Sequence, residues 1–153
     1  MNPPPADWPR ISSSIYYEAD VAKKAIEWLC RAFGFELRLL VDDDQGGVAH
    51  SELTYGGGLI MVGSTSAAKA EKFPYRKAPS QVGGVNTQNM MVYVDDVEAH
   101  CKRAREAGAE ITSEPETHDY GEEYWADRTY GCKDIGGHHW WFSQRLRSAT
   151  PKA

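Results

Sequence analysis

The chain has 153 residues, 41% of them hydrophobic, 25% charged and 11% aromatic, with a net charge of −5. That composition fits a globular protein with one core or two small ones and excludes a disordered chain. Basic residues gather no further than pairs such as Lys23-Lys24, so no positive surface is available for a nucleic-acid backbone, and no apolar stretch approaches the roughly 18–20 residues of a membrane span.

Residues 1–10 hold Pro3-Pro4-Pro5 and Trp8. They lack the basic start and apolar run of a signal peptide. The prolines favour an extended arm, which Trp8 would tack onto the domain or onto a partner chain. Ile11 to Tyr17 reads as a strand. From Asp20, the expected N-cap, Val21, Ala25, Ile26, Leu29, Ala32 and Phe33 recur at the 3-and-4 spacing of an amphipathic helix, and Gly34 stops it. Phe35 to Val41, Gly47 to Tyr55 and Leu59 to Gly63 are the next strands, with Gly56-Gly57-Gly58 turning between the last two. No Lys-Ser or Lys-Thr follows those glycines, so they form no phosphate loop.

Residues 64–88 are polar and read as a long loop, of the kind that is functional or flexible. The first plan then recurs. Asn89 to Val94 is a strand, Asp95 or Asp96 caps a helix carrying Val97, Cys101, Ala104 and Ala107, and Gly108 matches Gly34. Strands follow at Ala109 to Thr112, Glu122 to Thr129 and His138 to Gln144, the last after a turn at Asp134 to Gly137. The fold class expected is α+β, two tandem βαβββ modules forming a curved mixed sheet around a cleft. The arm spans 1–10, the modules 11–63 and 89–145, the connecting loop 64–88 and a tail 146–153. Cys30, Cys101 and Cys132 have no CxxC pairing, which suits buried thiols in a reducing cytoplasm.

The run Ala32-Phe33-Gly34-Phe35-Glu36, the repeated Val94-Asp95-Asp96-Val97 entry and the late Asp134-x-x-Gly137-His138-x-Trp140 turn resemble the vicinal oxygen chelate superfamily. That superfamily includes glyoxalase I, extradiol dioxygenases and bleomycin-resistance proteins. The resemblance runs from about Ile11 to Gln144. It implies a ligand cleft, often a dimer, and in the enzymes a divalent metal held by His and Glu side chains from the first and last strands of each module. Here those positions fall on Ser12 or Ser13, Met61, Asn89 and Trp141, none of which suits a hard cation.

With the metal pattern absent, the resemblance implies a binding protein with no cofactor. The ligand-binding candidates are Ser13, Met61, Asn89, Tyr93, Tyr120, Trp125 and Trp141, which suit enclosing a small aromatic or amphipathic molecule. The expected assembly is a cytoplasmic homodimer. The alternative is a lyase, isomerase or dioxygenase with a rewired metal site at His50 and Glu52, two apart on a strand and so on one face, completed by His118 or Glu123. Strand parity puts Trp140 and Phe142 under a helix and His139 and Trp141 on the opposite face. His100 is expected at the surface of the second helix, and Asp127-Arg128 as an ion pair or turn lock.

Overall fold

A computed structural model describes residues 1–150 of the chain. It divides into two compact units, Met1–Val85 and the residues from Asn86 onward. Each holds one βαβββ module with its own four-stranded mixed sheet.

In the first unit the elements are β1 (Ser13–Glu18), α1 (Ala19–Phe33), β2 (Glu36–Asp42), β3 (Val48–Tyr55) and β4 (Gly58–Thr65). The sheet order is β1-β4-β3-β2, with β1 parallel to β4 and the other pairs antiparallel. α1 buries Ala22, Ala25, Ile26, Leu29, Ala32 and Phe33, and the sheet supplies Ile15, Tyr17, Ile60 and Val62 to the same core. Gly34 ends the helix at φ +84°, the left-handed turn that glycine adopts without a Cβ clash. The helix begins earlier than expected: Glu18 is the N-cap and makes no side-chain cap bond, while Asp20 lies inside the first turn. There its charge still favours the helix dipole.

β2 is one edge of this sheet, and all seven of its residues are exposed. Leu37, Leu39, Leu40 and Val41 are each 39–46% exposed, an apolar run on both faces of a strand paired only with β3.

The segment expected as a loop over 64–88 is partly structured. β4 runs on to Thr65, α2 spans Ala67–Lys72, and a 3-10 turn covers Pro79–Val82. Ser66 caps α2 by accepting from the Lys69 amide. Lys69 Nζ then donates to Asp43 Oδ2 at 2.8 Å, Ser64 Oγ at 2.9 Å and the Val48 carbonyl at 3.0 Å. Asp43 Oδ1 accepts from the Gln45 and Gly47 amides. The β2–β3 turn, the end of β4 and α2 are therefore tied at one polar node. Lys69 and the two amides hold the Asp43 carboxyl down at about 2.

The second unit contains β5 (Met90–Tyr93), α3 (Val97–Glu106), β6 (Glu110–Asp119), β7 (Ala126–Lys133) and β8 (His139–Arg147). Its order is β5-β8-β7-β6, with β5 parallel to β8. Asp96 caps α3 by accepting from the Ala99 amide. β7 starts four residues later than the sequence suggests because residues 121–124 form a turn closed by the Tyr124 amide on the Gly121 carbonyl. β8 continues past Gln144, so 146–147 belong to the strand; Arg147 binds both oxygens of Asp119. The rest of the expected tail through 150 is exposed, and 151–153 lie outside the described residues. Pro115 sits in β6, the edge strand, where a missing donor costs least.

Trp140, Phe142 and Tyr130 are fully buried beneath α3. Asp134 locks the turn before β8: Oδ1 accepts from the Gly136 and His138 amides, and Oδ2 from Trp140 Nε1 at 2.9 Å. His100 departs from expectation. It is 9% exposed, stacks 4.2 Å from Phe142, and its Nδ1 lies 2.7 Å from the Tyr130 hydroxyl. Its place on the apolar stripe with Val97, Cys101 and Ala104 outweighs its polarity because the ring has a hydrogen-bond partner. Cys101 and Cys132 are buried, and burial pushes the Cys132 thiol up to about 12. Cys30 is half-buried and is shifted upward for the same reason.

Candidate binding faces

Each module covers one face of its sheet with a helix and leaves the opposite face to other groups. Cross-strand partners share a face, so the registers fix which side chains meet there. In the second unit Trp141 pairs with Met91 on one side and Gly131 on the other. Two residues along, Ser143 pairs with Tyr93 and Thr129, and the Thr129 and Ser143 hydroxyls lie 2.8 Å apart. Arg145 follows, paired with Asp127, which pairs in turn with His118.

Gly131 has a specific use. A Cβ at this position would come 2.8 Å from Trp141 Cζ3 and 3.1 Å from Cε3 and Cη2. The indole therefore lies flat across the glycine backbone. Among the described residues no second ring or cation stacks on Trp141.

Above this platform, Arg145 Nε donates to Asp127 Oδ1 at 2.5 Å, and Tyr93 donates its hydroxyl hydrogen to Asp127 Oδ2 at 3.0 Å. Arg145 Nη2 also donates to the Tyr93 hydroxyl oxygen. The guanidinium stands 5.0 Å from the Tyr93 ring centroid and 5.6 Å from that of Trp125. Trp125 touches Tyr120 at 5.3 Å and Tyr124 at 6.3 Å. Asp127 is 6% exposed, whereas Tyr93, Tyr120 and Trp125 are 37–55% exposed. The Asp127 carboxylate and the Tyr93 hydroxyl hold Arg145 more firmly protonated than an unpaired arginine.

Among the sequence candidates, Tyr93, Tyr120 and Trp125 thus gather about one ion pair, with Trp141 on the same sheet face. Asn89 precedes β5 and is exposed. Asp127 and Arg128 do not pair with each other, because neighbours on a strand face opposite ways. Arg128 instead meets Glu98 on α3 and Thr117. Arg145 escaped the sequence reading because it lies beyond the apolar part of β8; counting by two from Trp141 would have reached it.

In the first unit Ser13 shares parity with Ile15 and Tyr17 and so belongs to the α1 face. Ser14 is the serine that meets Met61, its hydroxyl 3.9 Å from the sulfur. Tyr16 pairs with Gly63, and a Cβ there would come 3.1 Å from Tyr16 Cε1. The construction matches Trp141 on Gly131, but here Arg76 lies 5.3 Å from the Tyr16 centroid and 3.8 Å from that of Phe73. The arm contributes as well: Arg38 stands 5.3 Å over Trp8 and donates to the Asp7 carbonyl.

Arg38 also bears on the metal alternative. His50 and Glu52 do meet, with His50 Nε2 donating to Glu52 Oε1 at 3.0 Å. The other carboxylate oxygen accepts from Arg38 Nε at 2.6 Å. The two donors hold the Glu52 carboxyl below its usual range. A guanidinium on the carboxylate opposes a divalent cation and occupies the lone pairs it would need. Among the described residues no three His, Cys, Asp or Glu side chains stand close enough to hold an ion. Ser12 has a buried hydroxyl with no partner, and an alcohol is a poor substitute for imidazole. The donor set therefore does not fit the divalent metal that the resemblance implies in its enzymes.

No helix of the described residues is long and apolar enough to cross a membrane. The comparison with curated proteins gave no significant match. Among solved structures, TioX from Micromonospora sp. ML1 is 30% identical, with a TM-score of 0.65 over 90% of this chain and 99% of that one. TnmS3, an antibiotic binding protein from Streptomyces sp. CB03234, shares the fold at 14% identity and a TM-score of 0.59, covering 90% of this chain and 97% of its own. A glyoxalase/bleomycin resistance protein/dioxygenase family enzyme from Burkholderia phytofirmans PsJN is 17% identical at a TM-score of 0.62, covering 88% and 97%. The family model for the glyoxalase/bleomycin resistance protein/dioxygenase superfamily matches residues 18–142, and with βαβββ modules in both halves the chain belongs to that superfamily.

Proposed function

We propose that the protein binds a small aromatic or amphipathic molecule without a metal, on the open face of its second module. The observation that carries this reading is Trp141 laid flat on Gly131, on the same sheet face as Tyr93 and the Arg145–Asp127 pair, with Trp125 against Arg145. Flat, partly exposed aromatic faces stack on organic rings, and a small number of fixed polar groups orient what is stacked. The likeness of the fold to TnmS3, itself described as an antibiotic binding protein, supports the same class of ligand. We place the protein in the cytoplasm as a homodimer; its three cysteines, which form no disulfide among the described residues and two of which are buried, fit a reducing compartment.

The test is a melting screen against planar aromatic compounds. A ligand at a hundred times its Kd stabilises by about 2.7 kcal/mol. The stabilising compounds should lose roughly tenfold or more in affinity with Trp141→Ala, since a stacked ring contributes about 1 kcal/mol beyond its buried area. Unchanged affinity in that variant would remove Trp141 from the site. Sedimentation equilibrium checks the dimer, and a monomer at micromolar concentration would refute it.

A further inference from the structure

We infer that the molecule bound on the second module is a planar, uncharged, multi-ring compound carrying a carbonyl oxygen, which accepts a hydrogen bond from Arg145 while its rings stack on Trp141. This rests on the binding reading above and adds the chemistry of the ligand.

Arg145 has five donor hydrogens in a fixed fork. Nε is spent on Asp127 and Nη2 on Tyr93, while Nη1 makes no hydrogen bond among the described residues. The aromatic contacts to Tyr93 and Trp125 hold the guanidinium in place, so the remaining donor is fixed before any ligand arrives. Its charge, however, is already answered by the buried Asp127 carboxylate. Glu116, opposite Thr129 in the neighbouring row, adds further negative charge to the same face, and His118 stands opposite Asp127. A paired guanidinium beside carboxylates offers a hydrogen to an acceptor without offering net positive charge. Such a site suits a neutral carbonyl better than a carboxylate.

The spacing sets the size. Tyr93 pairs with Ser143, two residues from Trp141, and Arg145 lies four residues from it. At about 3.3 Å per residue, the ring platform and the donor are separated by roughly 7–13 Å of strand, the length of two to four rings.

Fluorene and 9-fluorenone are planar tricycles that differ only in CH₂ against C=O, and fluorene-9-carboxylate supplies the charge. Their affinities for the full chain, measured by equilibrium dialysis, should rank fluorenone about tenfold above fluorene, the scale of a hydrogen bond from a charged donor, with the carboxylate weakest. In Arg145→Lys, which keeps a cation beside Asp127, the fluorenone preference should shrink to about twofold. In Trp141→Ala both neutral compounds should weaken together. Equal affinity for fluorene and fluorenone in the unaltered chain would overturn the carbonyl inference while leaving aromatic binding intact. Tightest binding of the carboxylate would overturn it as well. If none of the three bound, the inference and the binding reading would fall together. The comparison on the unaltered chain stands even if Arg145→Lys fails to fold.

Discussion

Tyr16 lies across Gly63 in the first module and Trp141 lies across Gly131 in the second, yet what rests on the two rings differs. The first ring is capped from its own chain by Arg76, which Phe73 and Tyr75 also contact, and Arg38, on the strand at the other edge of that sheet, is packed against Trp8 of the arm. The second ring carries no such cap among the described residues. One sheet face is filled by local segments, and the other keeps its aromatic surface and a spare arginine donor. The two copies of one plan therefore teach that an open aromatic face is made by leaving out a cover as much as by adding a residue.

The sharpest way to break this comparison is the tryptophan pair in β8. Trp140 is fully buried and its indole N–H satisfies Asp134. Trp140→Ala should cost about 3–5 kcal/mol in urea unfolding, against a change below about 1 kcal/mol for Trp141→Ala. Similar losses for the two would dissolve the distinction between core and platform. Next come the glycines. Gly131→Ala forces a methyl against the indole at 2.8 Å, whereas Gly63→Ala meets Tyr16 at 3.1 Å. The first should cost roughly 1–3 kcal/mol and the second less; the reverse order in thermal melts would show that the indole yields more easily than the phenol.

A smaller effect is expected at the Lys69 node, which has no counterpart described in the second unit. Lys69→Met should destabilise by about 1–2 kcal/mol. Asp43 is held at about 2 against an ordinary 3.8, so its contribution is complete above the ordinary value and fades as pH falls from there toward 2. The variant should lose that acid-dependent part of its melting curve; an unchanged acid profile would argue against the node. The smallest effect is expected from Arg76→Ala, about 0.5–1 kcal/mol from the lost cation–π contacts. It should also raise fluorenone stoichiometry from one to two per chain as Tyr16 is uncovered. A constant stoichiometry would mean that Tyr16 differs from Trp141 in more than its cover.

Much of this arrangement follows from local rules that need no tertiary information. The helix stops at Gly34 and Gly108 have positive φ, and alternation along β8 separated Trp140 and Phe142 from Trp141. Where the outcome hung on a competition, the sequence was less informative. Ser13 and Ser14 are chemically alike, and their faces were decided by where Ile15 and Tyr17 packed. His100 looked polar enough for solvent until Tyr130 supplied a partner from another strand. The Arg145–Asp127 pair, drawn from two strands, has no spacing signature at all. Tyr93, Tyr120, Trp125 and Trp141 lie around the face of the second sheet, whereas Met61 and Ser13 lie in the first unit on opposite sides of its sheet and Asn89 stands before β5.

The free edge of the first sheet bears on attempts to divide the molecule. β2 presents Leu37, Leu39, Leu40 and Val41 along a backbone paired on one side only and without a proline, while the corresponding edge β6 carries Glu110, Glu114, Glu116 and Pro115. Bare apolar strands recruit others of their kind, and glutamates and prolines prevent it. If the halves were produced separately by cutting after Val85, the first would template its own precipitation, and the second carries its own gatekeepers.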